Sequence, residues 1–557
     1  MQQNGRSSDR HRNDGPTGAA ATRRALLVAA SGGAAGLLLA GCAPQIGRAR
    51  AQGLDPFTLG IASGYPTPEG FVLWTRLAPE ASGLSPGTAK GMAAEAASRG
   101  ALAPATLPAT VPVQWEVAED EGMRRIVRKG SVDATAAATH GVHVDVAGLA
   151  ANRWYWYRFS ALGHRSRVGR TRTFPQEGDA VSRLRLAIVS CQNIEHGYFA
   201  AYRHLVADEP DLIVHLGDYV YEGTWGQDLV RPLQLSEAQT LAEYRHRHAI
   251  YKRDPDLQEA HAMFPWVTVW DDHEVANDYA DASPERIVPP AVFLKRRAAA
   301  YQACYEHMPV PPRMAPQGAA MRIHTAFHIG DLATLYLLDD RQYRTPQACP
   351  IPGRGGGNAV VPSACEALRD PARSALGAEQ ERWLAQRFAA AADSRWNLVG
   401  QQTLMAPMLM PARKGPARVR TDGWDGYPLS RQRLLDAMVQ HRLRNPVVLG
   451  GDLHAFHAAD LHAKADDPAS AVVASEFVTT SITSQAPAQD HFERVLAANP
   501  HIRLADGRRR GYLRLTLSRD RLDADLMALQ DVRRPDSGIA RLAGFVVEGG
   551  RPGPQPA

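Results

Sequence analysis

The sequence predicts an all-β sandwich followed by a larger layered α/β domain, and three observations predict it. Between Phe57 and Phe174, short runs of apolar, β-branched and aromatic residues are separated by turn signals. From Leu184 onward, apolar runs of strand length alternate with stretches of helical spacing, the pattern of layered α/β folds. Four of those later runs end in clusters of metal-type ligands, and open α/β sheets bind ligands just beyond the carboxyl ends of their strands.

Residues 1–51 read as an export signal, outside the fold. A polar segment leads to Thr22-Arg23-Arg24-Ala25-Leu26-Leu27, and an uncharged stretch rich in Ala, Gly and Leu follows to Gly47. Gly32, Gly33 and Gly36 weaken it as a membrane span, which suits a cleaved signal better than an anchor helix. The paired arginines have the form of a twin-arginine signal, so that export machinery is an expected partner. Leu39-Ala40-Gly41-Cys42 resembles a lipoprotein box in which Cys42 becomes the acylated N-terminus. Ala49-Arg50-Ala51 is a competing cleavage site that would release a soluble protein. The expected location is the periplasm or, with Cys42 lipidated, a membrane-anchored lipoprotein; the second is favoured.

The formal charge of +5 is small for 557 residues, and Arg6, Arg10, Arg12, Arg23 and Arg24 of the signal supply part of it. No nucleic acid is therefore expected as a partner. Cys349 and Cys365 bracket a Gly-rich loop and could form a disulfide in an oxidising compartment, contributing about 3 kcal/mol in the chain-entropy account. Cys304 lies in a helical pattern and reads as buried and inert.

Residues 52–176 make up the sandwich, with strands at 71–75, 111–117, 143–146 and 154–159 and a long irregular insertion at 80–108. The Trp154-Tyr155-Trp156-Tyr157 run reads as alternating core and edge aromatics rather than a carbohydrate platform. Residues 176–179 serve as a linker. In the second domain, 183–535, helical patterns cover 198–207, 235–248, 292–307, 378–393 and 429–441. Strands are expected at 333–338, 397–401, 472–473 and 476–482, with a closing pair at 512–517 and 521–527. Residues 536–557 read as a C-terminal tail. No Walker or GxGxxG spacing is present.

The four ligand-bearing runs are 184–189 before Ser190-Cys191-Gln192, 212–216 before Gly217-Asp218-Tyr219-Val220-Tyr221, 266–270 before Asp271-Asp272-His273-Glu274, and 446–449 before Gly450-Gly451-Asp452-Leu453-His454. Asp218 can bridge two cations with its two oxygens. Tyr221, three residues on, can point back at the same cation, and a phenolate is a hard anion suited to ferric iron; an isolated Tyr would be read as packing. Cys191 would be a buried small hydrophobe or a nucleophile in isolation, but its register with the other strand ends favours metal ligation. Asp271 and Asp272 are mutually repulsive unless a cation lies between them, and with Asn277 they form an oxygen set suited to calcium or magnesium. His273 is open to three roles (ligand, proton donor, phosphate contact), with the proton donor or outer partner favoured. Asp452 and His454 alternate along the chain and so share one face, and His457 is a weaker candidate. Such a centre would give hydroxide near neutral pH and clamp a phosphoryl group for in-line attack. Arg341 and Arg344 could bind phosphate oxygens, or equally form salt bridges with Asp339 or Asp340.

These residues resemble the PhoD-type alkaline phosphatase/phosphodiesterase family of the metallophosphoesterase superfamily. The resemblance rests on residues 57–64 and 73–77 for the N-terminal domain. For the catalytic one it rests on Ser190-Cys191-Gln192, Gly217-Asp218-Tyr219-Val220-Tyr221-Glu222, Trp270-Asp271-Asp272-His273-Glu274-Val275 and Gly451-Asp452-Leu453-His454, in order. It implies a catalytic domain of two mixed sheets flanked by helices, and iron (Fe3+) with calcium (Ca2+) as cofactors. Carried over by motif, Cys191, Asp218, Tyr221 and His454 would hold iron; Asp218, Asn277, Asp452 and one or both of Asp271 and Asp272 would hold calcium. Asp278 stands where the family often has Asn, and Tyr65 where it usually has Asp. The expected activity is hydrolysis of small phosphate monoesters with phosphodiesterase activity. The alternatives are a dedicated phosphodiesterase or phospholipase D-like hydrolase and a non-catalytic metal-binding adhesion protein.

Overall fold

The computed structural model describes residues 54–79, 107–391, 394–412 and 414–557. The signal readings, including Arg23, Arg24 and Cys42, and most of the 80–108 insertion lie outside the described residues. No helix among the described residues is long and apolar enough to cross a membrane.

Two mixed sheets share one core. The larger has ten strands in the order Arg551–Pro556, Ile539–Glu548, Arg521–Leu529, Gly511–Ser518, Arg183–Val189, Leu212–Leu216, Pro265–Val269, Ile61–Thr67, Gly70–Arg76, Gly141–Val146. The second has seven, in the order Thr325–Ile329, Ala333–Leu337, Trp396–Gly400, Pro446–Gly450, Val472–Val478, Phe456–His462, Ile502–Asp506. Their facing side chains, among them Leu186, Ile188, Val214 and Leu216 from the first sheet and Leu335, Leu398, Leu449 and Phe477 from the second, form one buried cluster. Strands buried on both faces read as continuous apolar runs; Leu212–Leu216 and Pro446–Gly450 are buried throughout.

The central strands run parallel. Leu212 pairs with Leu186 and Ile213 with Trp266, so Arg183–Val189, Leu212–Leu216 and Pro265–Val269 end along one edge. The fourth ligand-bearing strand, Pro446–Gly450, belongs to the other sheet. Backbone hydrogen bonds stitch the two sheet edges together there: Ile482 N donates to Ser190 O at 2.9 Å and Gly511 N to Ser481 O at 3.0 Å. The site therefore lies where the ends of two facing sheets meet.

Two expectations about domain limits are corrected. The N-terminal region is not a self-contained sandwich: Ile61–Thr67 pairs in parallel with Pro265–Val269, and Gly70–Arg76 and Gly141–Val146 extend the same ten-stranded sheet. A separate five-stranded sheet, containing Thr110–Ala118, Ile126–Thr135 and Trp154–Ala161, packs on this extension through Phe71, Leu73, Val113, Tyr157 and Phe159. The reason is backbone satisfaction: the edge of Pro265–Val269 needs a partner strand. Residues 536–557 are likewise not a tail. Ile539–Glu548 and Arg551–Pro556 form a hairpin that ends the large sheet, its prolines tolerated because the last strand is an edge.

Helices fall close to the expected spans, with shifts set by caps. The pattern at 235–248 becomes Leu241–Tyr251, because Thr240 and Glu243 form a reciprocal capping box. Pro255–Met263, capped by Asp254 with Pro255 in its first turn, and Gln489–Ala498 are additional helices.

Candidate metal centre

Three of the four ligand-bearing strands hand their chain to a turn in the left-handed region. Cys191, Asp218, Asp452 and His454 have φ of 56°, 57°, 61° and 54°. Non-glycine residues adopt this region at a cost, and such strain gathers at functional sites. Two glycines make room. A Cβ on Gly217, whose φ is +109°, would lie 2.7 Å from Asp271 N, and one on Gly451 would lie 2.6 Å from Ser190 Oγ.

The turns bring donor atoms together in three overlapping groups, each with its atoms within 4.8 Å of one another: Cys191, Asp218 and His454; Asp218, Asp272 and His273; Asp272, Asp278 and Asp422. Asp218 and Asp272 are shared between groups. Tyr221 joins the first: its hydroxyl donates to Asp218 Oδ2 at 2.9 Å, lies 3.3 Å from His454 Nε2, and accepts from Ser484 Oγ at 2.7 Å. His454 Nδ1 donates to Gln485 O at 2.6 Å, which turns the Nε2 lone pair toward the group. Asp452 accepts from Thr403 Oγ1 at 2.7 Å, and Asp452 and Asn277 line the same cleft. That cleft has a volume of about 1470 Å³, with Asp218, Asp272, His273, Asp278 and His454 also on its wall and Phe293, Met408, Met410, Leu453 and Phe492 forming apolar parts.

The electrostatics are those of a site built around cations. Burial pushes the Asp218 carboxyl well above its usual range, and the charges of Asp272, Glu274 and Asp452 add to this against His273. Burial and then Asp218 raise the Cys191 thiol and the Tyr221 hydroxyl in the same way. Crowded buried acids of this kind are disfavoured as anions unless positive charge is supplied. Thiolate, phenolate, imidazole and carboxylate on one side, and carboxylates alone on the other, fit a softer or highly charged transition ion beside a hard oxygen-loving one.

The residues around His273 and Asp271 complete the picture. His273 Nδ1 donates to Glu222 Oε2 at 2.7 Å, and the other Glu222 oxygen accepts from Asn277 N at 2.7 Å. The charges of Glu222, Asp272 and Asp218 outweigh burial and hold the His273 pKa well above its usual value. Asp271 is bound by the Arg341 guanidinium and does not line the cleft, which places Asp272 rather than Asp271 in the ligand groups. Arg341 also pairs with Asp422 at 3.0 Å, and Arg344 with Asp422 at 2.6 Å. Both arginines are buried and absent from the cleft wall, so the structure places them in salt bridges; the partners are Asp271, Asp422 and, at 3.9 Å, Asp272, not Asp339 or Asp340. His457 stands apart, its ring edge-on to Phe492 at 5.8 Å.

A model of the PhoD-like phosphatase family matches residues 186–526, and one of the family's N-terminal domain matches residues 41–175. Alkaline phosphatase D of Bacillus subtilis (strain 168) is 40% identical over 503 residues, covering 88% of this chain and 81% of the relative. The chain belongs to the PhoD-like phosphatase family. A solved structure described as that of PhoD superposes with a TM-score of 0.81 at 39% identity, covering 91% of this chain and 92% of the other. Membership makes the chain a phosphoric ester hydrolase.

Several site residues were missed from the sequence. Glu222 directly follows Tyr221, and a carboxylate in the Gly217–Glu222 string is the signal that a proton-donating His has a partner there. Asp278 was noted only as a departure. Asp422 follows no apolar run, so strand-end logic passes over it, and Ser484, beyond the strand expected at 476–482, is not a metal-ligand type. Cys349 and Cys365 are joined in a disulfide with Cα atoms 6.1 Å apart.

Proposed function

We propose that this family member is an exported phosphatase that hydrolyses phosphate monoesters and also diesters, using iron and calcium. The observation that carries the reading is the chain of three ligand groups sharing Asp218 and Asp272 along the cleft. Cys191, Asp218, Tyr221 and His454 would hold iron, and Asp218, Asp272, Asn277 and Asp452 calcium, with Asp278 extending the oxygen set. Bound cations would supply Lewis-acid charge that draws in the phosphoryl oxygens and acidifies water. Water adds to phosphorus in line with the departing oxygen, and the phosphorus–oxygen bond to the alcohol breaks. His273, with Nδ1 held by Glu222, delivers the proton that the alcohol takes. Thr403 and Gln485 fix the orientation of Asp452 and His454 through the hydrogen bonds they make.

A dedicated diesterase is the second reading, favoured by a cleft far roomier than a phosphate group and apolar over part of its wall. Elemental analysis of protein exported by its own signal, with a visible absorption spectrum and parallel monoester and diester assays, tests both. Iron with calcium, a tyrosinate charge-transfer band and monoester turnover are expected. Zinc alone or no metal would overturn the cofactor assignment, and diester turnover alone would move the protein to the second reading.

A further inference from the structure

With Arg341 and Arg344 committed to carboxylates, any arginine or lysine that meets a phosphate beside the bound cations must come from the cleft wall. Four arginine and lysine side chains line it: Arg286, Lys295, Arg296 and Arg420. Arg296 is committed, 2.7 Å from Glu237 Oε1 and donating to Tyr244 Oη at 2.7 Å. Arg286 and Lys295 are exposed. Arg420 alone of the four reaches the Asp272, Asp278 and Asp422 group. Its guanidinium stands 3.7 Å from Asp278 Oδ2, beyond hydrogen-bond distance, and its side chain is 58% exposed. Among the described residues this guanidinium makes no hydrogen bond, so its forked donors are available.

Arg420 is nevertheless held in place by its backbone. It pairs with Ala359, and Val419 with Val360, in a two-stranded ribbon whose first strand lies inside the loop closed by Cys349 and Cys365. Ala348, Val360, Cys365, Leu368 and Val419 form a small core of their own beneath it. The ribbon is tied to the carboxylates on either side of Arg420. Gly357 N donates to Asp278 Oδ2 at 2.9 Å, and Gln347 Nε2 to Asp422 Oδ1 at 2.8 Å. Asn358 N donates to Thr421 Oγ1 at 2.9 Å.

We propose that Arg420 is the specificity-determining residue that grips the phosphate oxygens of the substrate, positioned by the disulfide-closed ribbon. A guanidinium fork matches two phosphate oxygens at once, and here it also offsets the repulsion that neighbouring carboxylates exert on an incoming dianion. The assignment rests on the phosphatase reading above.

Binding of inorganic phosphate to the metal-loaded protein by calorimetry tests it, beside steady-state kinetics and metal content for Arg420→Ala and Arg420→Lys. Arg420→Ala should weaken phosphate binding and raise KM at least about tenfold with metal content unchanged, and Arg420→Lys should restore part of the loss. The double variant Cys349→Ser with Cys365→Ser should weaken phosphate binding in the same direction. Unchanged phosphate affinity in Arg420→Ala overturns the proposal, as does loss of metal from that variant, which would reduce Arg420 to a counter-charge for Asp278. If the wild-type protein turns over no ester while Arg420→Ala still binds phosphate less tightly, the phosphatase reading falls and Arg420 stands.

Discussion

Asp218 has two jobs that no neighbouring side chain can take over, because its carboxylate belongs to both the Cys191/His454 group and the Asp272/His273 group. Asp218→Ala is expected to lose metal and turnover together, by more than the roughly 10–100-fold that an outer partner costs. Elemental analysis beside an ester assay checks this, and a metal-free, fully active variant would refute the ligand set. Glu222 acts one step further out, through His273 Nδ1 and Asn277 N. Glu222→Gln should retain metal but lower kcat about 10–100-fold with little change in KM, as expected for a partner that orients a proton donor. A KM effect with kcat untouched would argue against that role. At this scale the sequence was informative wherever a ligand followed an apolar run. Cys191, Asp218, Tyr221, Asp272 and His454 come together as the strand-end argument expected. Asp271 is indistinguishable from Asp272 in the sequence because only the fold shows that Arg341 hydrogen-bonds Asp271 and stands off from Asp272 at 3.9 Å.

The strand-to-turn joints set the precision of the site. Gly217 follows Leu212–Leu216 at φ +109°, and any Cβ there meets Asp271 at 2.5 Å from its Cβ. Gly217→Ala should lower stability by about 2 kcal/mol or more and displace Asp218 and Asp271 together; a thermal melt and metal retention measure the two effects. Strand existence was legible for the continuous apolar runs such as Pro446–Gly450, and helix existence for periodic segments such as Pro428–Gln440. Sheet membership was not. Ile61–Thr67 carries no mark that its partner is Pro265–Val269, some two hundred residues away, because alternation reports which faces are buried and not which edge is paired. The Arg551–Pro556 strand was hidden by its prolines, which read as tail until an edge position explains them.

Over the whole molecule, the N-terminal region is structural to the catalytic sheet. Trp74 Nε1 donates to Glu306 O at 3.0 Å and Ile61–Thr67 covers the edge of Pro265–Val269. A chain beginning at Arg183 should therefore fail to melt cooperatively, whereas a self-sufficient catalytic domain would melt like the full protein. Two buried histidines, His215 and His248, pack against Tyr219, and burial and then Lys252 press their pKa values down from 6.5 to about 3. In the unfolded chain each takes up a proton near 6.5, so folding is favoured fully above that pH, and this contribution is lost as pH falls from there toward 3. Urea midpoints should drop between pH 7 and 5. His248→Phe, which cannot take the proton, should flatten that slope by up to about 1.4 kcal/mol per pH unit; an unchanged slope would contradict the assignment. The place of Arg183–Val189 in the large sheet has one more consequence. It is flanked by Leu212–Leu216, translated soon after it, and by Gly511–Ser518, translated long after it. At roughly 5–20 residues per second of synthesis, the strand that leads to Cys191 waits roughly 15–65 s with one edge bare. Closure of the sheet edge beside Cys191 thus waits for a segment made long after it, and until then Arg183–Val189 offers an unpaired edge to any other strand.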